Sequence, residues 1–177
     1  EKIIVLLEET APEFTSVPAD FTIECSEELI LDDATATDNC STPEITVEVE
    51  VLLGDCNGAY SWIRTFTATD NCGNATTAQQ VITFIDTTAP EFTSVPEDYT
   101  TECSNELVLD LATASDLCTE TTVTIEEVSA DGACPNEYTL TRTFTATDDC
   151  GNSSSAIQVI TIVETTARDL TFTPADY

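Results

Sequence analysis

Apolar and polar residues alternate along most of the chain, in runs rich in β-branched and aromatic side chains. In the run that starts at Tyr60, one set of alternate positions is Tyr60, Trp62, Arg64, Phe66 and Ala68. Alternation with a period of two is typical of a half-buried β-strand, and no apolar stripe with helical spacing competes with it. We therefore predict strands throughout, with this set of side chains facing a core.

Similar runs begin at Phe21, Leu29, Glu44 and Ala78, and turn residues such as Gly54 separate them. About six or seven short strands in about 80 residues are typical of an immunoglobulin-like sandwich. The pattern therefore predicts an all-β fold, made of tandem immunoglobulin-like antiparallel β-sandwich modules that are stapled by disulfides and arranged end to end.

The chain repeats itself with a period of 78 residues. The words TAPEFTSVP at Thr10 and RTFTATD at Arg64 return at Thr88 and Arg142. The first four cysteines, Cys25, Cys40, Cys56 and Cys72, return as Cys103, Cys118, Cys134 and Cys150. A fixed period indicates an array of modules. We predict one repeat at 9–86 and another at 87–164, with the last strand of a preceding repeat at 1–8 and the start of a truncated following repeat at 165–177.

The chain is strongly acidic, with 34 Asp and Glu against 4 Lys and Arg and a net charge of −30. This charge argues against nucleic acid as a partner and against direct insertion into an acidic membrane. Divalent cations are the partner that such a surface favours. A second interpretation is that the acids only keep a long extracellular polymer dispersed.

Two arginines, Arg64 and Arg142, interrupt the apolar positions of otherwise core-facing strands. A lone buried guanidinium is costly, whereas the aliphatic stem of arginine packs well on apolar surface. We therefore expect each arginine near a sheet edge, with its head paired to a carboxylate.

The eight cysteines form no CxxC motif, and the chain has no histidine. Zinc and redox sites are therefore disfavoured, and disulfides in an oxidising compartment are expected. If the strands run up and down in sandwich order, the favoured pairs are Cys25–Cys56, Cys40–Cys72, Cys103–Cys134 and Cys118–Cys150. Pairing of nearest neighbours, Cys25–Cys40 and Cys56–Cys72, stays open.

Acidic and amide residues recur where strands end. The word TATDNC occurs at Thr35 and again at Thr67, and further acids lie in the linkers that precede TAPE. Calcium binds six to eight hard oxygen ligands in flexible geometry. We predict calcium at the module junctions, with the candidate ligands Glu8, Glu13, Asp38, Asp70, Asn74, Asp86, Glu91, Asp116, Asp148 and Asn152. The alternative is that these Asp and Asn side chains only form Asx turns.

No motif for catalysis is present in the sequence. Histidine, a GxSxG word and a glycine-rich phosphate loop are all missing, and every cysteine fits a disulfide framework. We therefore expect that the protein is not an enzyme.

Three words carry a resemblance to a known family: DTTAPEFTSVPEDYTTEC, ATATDNC and RTFTATDNCGN. In combination they resemble the tandem repeats of giant Bacteroidetes cell-surface adhesins of the gliding-motility (SprB) type, and their endings are similar to those of hyalin (HYR) repeats. The resemblance implies an extracellular filament attached to the outer membrane, exported by type IX secretion, which acts in cell adhesion and gliding motility.

The implied partners are neighbouring repeats of the same chain and, through the parent protein, an extracellular surface or polysaccharide. The repeats are then a rigid anionic stalk. The alternative is that each repeat is itself a carbohydrate- or surface-binding module.

Overall fold

The computed structural model describes residues 8–165, and all regular elements in this range are β-strands. These residues divide into two compact units. The first contains the chain up to Thr88 together with Asp116–Glu120 and Asp149–Asn152. The second contains Ala89–Ser115, Thr121–Asp148 and the chain from Ser153. Between residues 8 and 165 there is no helix of the length and apolar character needed to cross a membrane.

The first unit contains six strands in two sheets. The strands are β1 (Glu13–Ser16), β2 (Phe21–Glu24), β3 (Thr35–Thr37), β4 (Glu44–Leu53), β5 (Tyr60–Thr69) and β6 (Ala75–Ile85). A two-stranded sheet pairs β1 with β3, and a four-stranded sheet has the order β2-β6-β5-β4. All pairs are antiparallel except β2 with β6, which run parallel with Phe21 opposite Ile82.

The second unit repeats this arrangement. Its strands are β7 (Glu91–Ser94), β8 (Tyr99–Glu102), β9 (Thr113–Ser115), β10 (Thr121–Asp131), β11 (Tyr138–Asp148) and β12 (Ser153–Val163). A two-stranded sheet pairs β7 with β9, and the four-stranded sheet has the order β10-β11-β12-β8. The predicted all-β sandwich is thus confirmed, with one parallel pair in each four-stranded sheet.

The core of each unit comes from alternate residues of its two central strands. In the first unit Phe66, Ala68, Ile82 and Phe84 are buried, and in the second Phe144, Ala146, Ile160 and Ile162 are buried. The predicted inward set on β5 is correct for Arg64, Phe66 and Ala68. Tyr60 and Trp62 are half-buried, and both pack on Phe84 with ring centroids at 4.3 and 5.2 Å.

The expectation that the two arginines lie near sheet edges is wrong. Arg64 on β5 is 5% exposed, Arg142 on β11 is 1% exposed, and both strands are flanked on each side by another strand. Burial is tolerated because hydrogen-bond acceptors surround the guanidinium. Arg142 donates to Glu127 Oε1 at 2.9 Å, to the Asp110 carbonyl at 2.8 Å and to Gln158 Oε1 at 2.9 Å.

Arg64 uses the equivalent neutral acceptors but hardly uses a carboxylate. It donates to the Asp32 carbonyl at 3.0 Å and to Gln80 Oε1 at 2.8 Å, whereas Asp33 is 3.9 Å away and exposed. Gln80 in turn donates to the Ala19 carbonyl at 2.7 Å. The buried arginine therefore joins the loop before β3 to the central strand pair, which explains its place among apolar residues.

The predicted domain limits, 9–86 and 87–164, stay a prediction. The last strand of a preceding repeat, predicted at 1–8, and the start of a following repeat, predicted at 165–177, fall outside the described residues, except for Glu8 and Thr165.

Candidate functional site

Three carboxylates of the first unit converge at the ends of its strands. Asp38 directly follows β3, Asp70 directly follows β5, and Glu8 lies in the segment before β1. One oxygen of each lies within 4.8 Å of the others, and Asp70 is only 7% exposed. The repeated TATDNC word supplies two of them, because it stands at the end of β3 and at the end of β5, which belong to different sheets.

Local hydrogen bonds hold two of these carboxylates in Asx-type turns. Asp38 Oδ1 accepts from the amides of Cys40 and Ser41, both at 2.9 Å. Asp70 Oδ1 accepts from the amides of Cys72 and Asn74, both at 2.8 Å. The turn chemistry considered from the sequence is therefore present, and it fixes the directions of the carboxylates.

Asn74 connects the cluster to the segment before β1. Its Nδ2 donates to Asp70 Oδ2 at 2.8 Å and to the Glu8 carbonyl at 3.2 Å. These bonds favour the charged carboxylate, so the Asn74 side chain, followed by its backbone amide, holds the pKa of Asp70 below its ordinary value despite burial.

Glu8 is held by a thiol and by a backbone amide. Cys40 Sγ donates to Glu8 Oε2 at 2.6 Å, and the Thr10 amide donates to Oε1 at 2.6 Å. These two bonds, that of Cys40 first, lower the pKa of Glu8. The same bond to Glu8 raises the pKa of the Cys40 thiol to about 11.

The cluster fits a hard cation in part. Three negative groups lie close together, and Asp38 Oδ2 is buried without a hydrogen-bond partner among the described residues. Carboxylate oxygens are the ligands that calcium prefers, but calcium takes six to eight oxygens and three side chains supply only part of that number. Glu8, Asp38 and Asp70 are thus the residues that could hold a cation, with water completing the shell.

The structure does not place every predicted ligand at this cluster. Glu13 is exposed on β1 and lines the same surface depression as Asp38. Asn74 takes part as a hydrogen-bond donor through its amide nitrogen.

The predicted ligands of the second repeat lie in both units. In the first unit, one oxygen each of Asp86 and Asp116 lie within 4.8 Å, and Asn152 Nδ2 donates to the Asp86 carbonyl at 3.1 Å. In the second unit, Asp148 is buried at the end of β11 and Glu91 is exposed at the start of β7.

Two disulfides lie within the first unit, and both join residues of different sequence repeats. Cys25 is bonded to Cys118 and Cys56 to Cys150, with Cα atoms 5.8 and 5.1 Å apart. Asn57 follows Cys56 and Asp149 precedes Cys150, and the Asn57 side-chain amide donates a hydrogen bond to the Asp149 carboxylate. Gly58 is buried there, and a Cβ on it would lie 2.8 Å from Asp86 Cβ and 2.9 Å from Thr119 Cγ2.

The predicted pairs Cys25–Cys56 and Cys118–Cys150 are therefore wrong, and so is the alternative of nearest neighbours. The physical reason is the strand order. Cys25 follows β2 and Cys56 follows β4, and these strands form opposite edges of the sheet β2-β6-β5-β4. Three strand spacings separate them by roughly 14 Å, whereas a disulfide requires Cα atoms within about 7 Å.

The other predicted pairs, Cys40–Cys72 and Cys103–Cys134, are not formed either. Cys40, Cys72 and Cys134 are exposed thiols, and Cys103 is a half-buried thiol. Cys103 Sγ donates to Glu164 Oε2 at 2.9 Å, and this bond is the main reason that the pKa of Cys103 is raised. In the second unit, Cys103 follows β8 and Cys134 follows β10, again at opposite edges of one sheet.

Comparison with known proteins identifies no family for this chain. No protein-family model matches the chain, and no curated protein matches it. Among solved structures, the chain is similar to Drosophila N-cadherin EC1-4, with 13% identity and a TM-score of 0.43 over 88% of this chain and 50% of that one.

Two further solved structures show the same level of likeness. The human desmocollin-1 ectodomain gives 12% identity and a TM-score of 0.34, over 90% of this chain and 42% of that one. The N-terminal Ig1-2 module of the Drosophila receptor protein tyrosine phosphatase DLAR gives 12% and 0.31, over 87% and 100%. The chain thus spans half or less of the first two structures.

Proposed function

We propose that this chain is a non-catalytic structural repeat of a long extracellular cell-surface adhesin. In this function the repeats form a rigid anionic stalk that supports surface adhesion and gliding motility. The observation that carries the proposal is the pair of disulfides between consecutive sequence repeats, Cys25–Cys118 and Cys56–Cys150. Covalent bonds between repeats are suited to a protein that transmits force along its length.

The disulfides shorten the covalent path on which a pull acts. In the oxidised chain, a pull on Glu8 and Thr165 extends the segments 8–25 and 150–165 and, between the two disulfides, the segments 25–56 and 118–150 in parallel, whereas the segment 56–118 is bypassed. This route is about 60 residues long rather than about 160. At about 3.5 Å per residue, extension is limited to about 210 Å rather than about 550 Å.

Export and surface attachment are part of the same proposal. Disulfides form and persist in oxidising environments outside the cytoplasm. The repeat words TAPEFTSVP and RTFTATD resemble those of gliding-motility adhesins, which favours type IX secretion and attachment of the parent protein to the outer membrane. The partners are then neighbouring repeats and, through the parent protein, an external surface or polysaccharide.

A calcium ion held by Glu8, Asp38 and Asp70 would reduce the repulsion among these carboxylates. By the 78-residue period, the equivalent positions are Asp86, Asp116 and Asp148. Melting of the chain with millimolar calcium and with chelator, at equal ionic strength, tests this part. We expect calcium to raise the melting temperature, and Asp38→Asn to reduce that rise. Glu48→Gln, an exposed change of equal charge on β4, serves as the control; identical melting curves with and without calcium would remove the metal from the account.

Single-molecule force measurement tests the mechanical function. The chain is held by tags at both ends and stretched in oxidising and in reducing buffer. The proposal predicts that the released length rises by more than twofold on reduction, because the bypassed segments join the extensible path. Equal released lengths in the two buffers would contradict it.

One observation favours the alternative of a carbohydrate-binding repeat. In the second unit, the aromatic ring of Tyr99 lines a depression together with Asp98, Asp110 and Gln158. Rings and carboxylates of this kind bind sugars in many proteins, although the Tyr99 hydroxyl already bonds to Val108. Retention of the chain on immobilised polysaccharides, lost in Tyr99→Ala with unchanged melting, would support this alternative. If neither the parent chain nor Tyr99→Ala is retained on the polysaccharides, the result favours the stalk function.

A further inference from the structure

The four free cysteines are related to the four bonded ones by the 78-residue period. Cys103 is equivalent to Cys25, and Cys134 is equivalent to Cys56. Cys40 and Cys72 are equivalent to Cys118 and Cys150. Each observed disulfide joins one position of an earlier repeat to another position of the next repeat. Under the same rule, the partners of Cys40 and Cys72 belong to a preceding copy, and the partners of Cys103 and Cys134 belong to a following copy.

The surroundings of two free thiols match those of a bonded pair. The sulfurs of Cys25 and Cys118 lie within 4.8 Å of a carboxylate oxygen of Asp86. One period earlier, Cys40 donates to Glu8. One period later, Cys103 donates to Glu164. Glu8, Asp86 and Glu164 occupy the same place in the repeat, so Asp86 has both cysteines beside it while Glu8 and Glu164 have one each.

We propose that Cys40 and Cys72 form one half of a double disulfide joint, and that Cys103 and Cys134 form the complementary half. The partner at each half is a neighbouring copy of this repeat, whose cysteines at the equivalent positions complete the bonds. This inference rests on the proposed function for the presence of flanking copies. Every repeat is then bonded twice to the copy before it and twice to the copy after it.

Formation of each bond is an ordinary thiol oxidation. Cys103 and the incoming thiol equivalent to Cys40 lose two electrons and two protons, and one S–S bond forms. A disulfide oxidant such as oxidised glutathione accepts them and is released as two thiols. The second bond, from Cys134 to the thiol equivalent to Cys72, forms in the same way.

The contacts that accompany the joint differ between copies. Asn57 and Gly58 stand beside the bonded Cys56, whereas Pro135 and Asn136 follow Cys134. Asn136 adopts a positive φ of 74°. The next joint therefore lacks the asparagine that bonds to Asp149 in the observed one. Asn136 stands at the position of Gly58, where a Cβ would lie 2.8 Å from the linker residue Asp86, so the linker and the incoming loop must shift at that joint.

A continuous set of such joints limits extension strongly. Within the second repeat, the joint to the preceding copy includes Cys118 and the joint to the following copy includes Cys103, and these two cysteines are 15 residues apart. The shortest covalent path through the repeat therefore contains only this segment of backbone. A repeat then extends by about 50 Å, against about 270 Å for its 78 residues without the bonds.

The test uses the chain lengthened after Tyr177 by a copy of residues 100–164, so that 165–177 and the added residues form one more repeat in the 78-residue register. After refolding with reduced and oxidised glutathione, free thiols are alkylated and located by mass spectrometry. We expect Cys103 and Cys134 to be protected and Cys40 and Cys72 to be alkylated, whereas all four are alkylated in the shorter chain. Alkylation of Cys103 and Cys134 in the lengthened chain, or a Cys103–Cys134 bond, would overturn the inference.

A matched variant separates bonding from burial. In the added copy, the cysteines equivalent to Cys40 and Cys72 are replaced by serine, and Cys103 and Cys134 should recover their reactivity. Protection that persists in this variant would also overturn the inference, because burial alone would explain it. A melting curve similar to that of the parent lengthened chain shows that the variant is folded. If the joint fails while reduction still lengthens the stretched two-repeat chain, the proposed stalk function remains.

Discussion

Cys25 is bonded to Cys118, 93 positions later in the chain, rather than to a cysteine of its own repeat. The order β2-β6-β5-β4 places the strands before Cys25 and Cys56 at opposite edges of one sheet, so those two cysteines cannot reach each other. The bond therefore joins one sequence repeat to the next. In the proposed stalk, this bond makes the extension of the chain depend on its redox state.

Removal of this bond in the Cys25→Ser/Cys118→Ser variant should lower the free energy of unfolding of the first unit. The closed loop is long, and loops of this length correspond to about 3 to 5 kcal/mol of lost chain entropy in the unfolded state. Urea denaturation in oxidising buffer measures the loss. The control is Cys72→Ser/Cys134→Ser, which changes two exposed thiols and should stay within about 0.5 kcal/mol of the parent chain. Equal losses in both variants would show that the bond has no special role.

Arg142→Met should destabilise the second unit by about 2 to 5 kcal/mol, because two acceptors around the buried side chain lose their donor at about 1 to 3 kcal/mol each. The Asp110 carbonyl and Gln158 Oε1 would both lose their donor. Glu127→Gln keeps an acceptor oxygen at a site that is 44% exposed, and should cost less than about 1 kcal/mol. Chemical denaturation compares the two. A loss of under about 1 kcal/mol for Arg142→Met would mean that the arginine is only a spacer in the core.

Alkylation of Cys103 should depend on Glu164. The hydrogen bond to this carboxylate raises the pKa of the thiol, so less thiolate is present at a given pH near 8. Since the thiolate is the reactive form, Glu164→Gln should lower the pKa and speed alkylation. Rates measured from pH 7 to 10 should shift to lower pH in this variant. Glu91→Gln, an exposed change on β7, should leave the profile unchanged; a shift of equal size there would point to net charge as the cause.

The fold was predictable from the sequence because its information is local. Alternation on β5 identifies the buried Phe66 and Ala68, and the 78-residue period identifies the two copies. The carboxylates Asp38 and Asp70 were predictable as neighbours because one word, TATDNC, ends two strands. Glu13 was also predicted as a ligand, but it lies exposed on β1, which the repeated word does not reveal.

The disulfides and the arginines were not predictable, because both depend on the order of strands in the sheet. Cysteine spacing does not tell whether the strand before Cys25 pairs with β4 or with β6. The parallel pairing of β2 with β6 decides this, and no local signal encodes it. In the same way, the sequence predicts Arg64 at a sheet edge, because it does not show that Gln80 and the Asp32 carbonyl accept hydrogen bonds from the buried guanidinium.

Disulfide mapping of the oxidised chain tests the central claim most directly. The folded protein is blocked with an alkylating reagent, cleaved without reduction, and analysed by mass spectrometry. The account predicts linked peptides that contain Cys25 with Cys118 and Cys56 with Cys150, and blocked thiols at Cys40, Cys72, Cys103 and Cys134. Linked peptides that join Cys25 to Cys56, or Cys25 to Cys40, would contradict it, since each repeat would then be closed on itself.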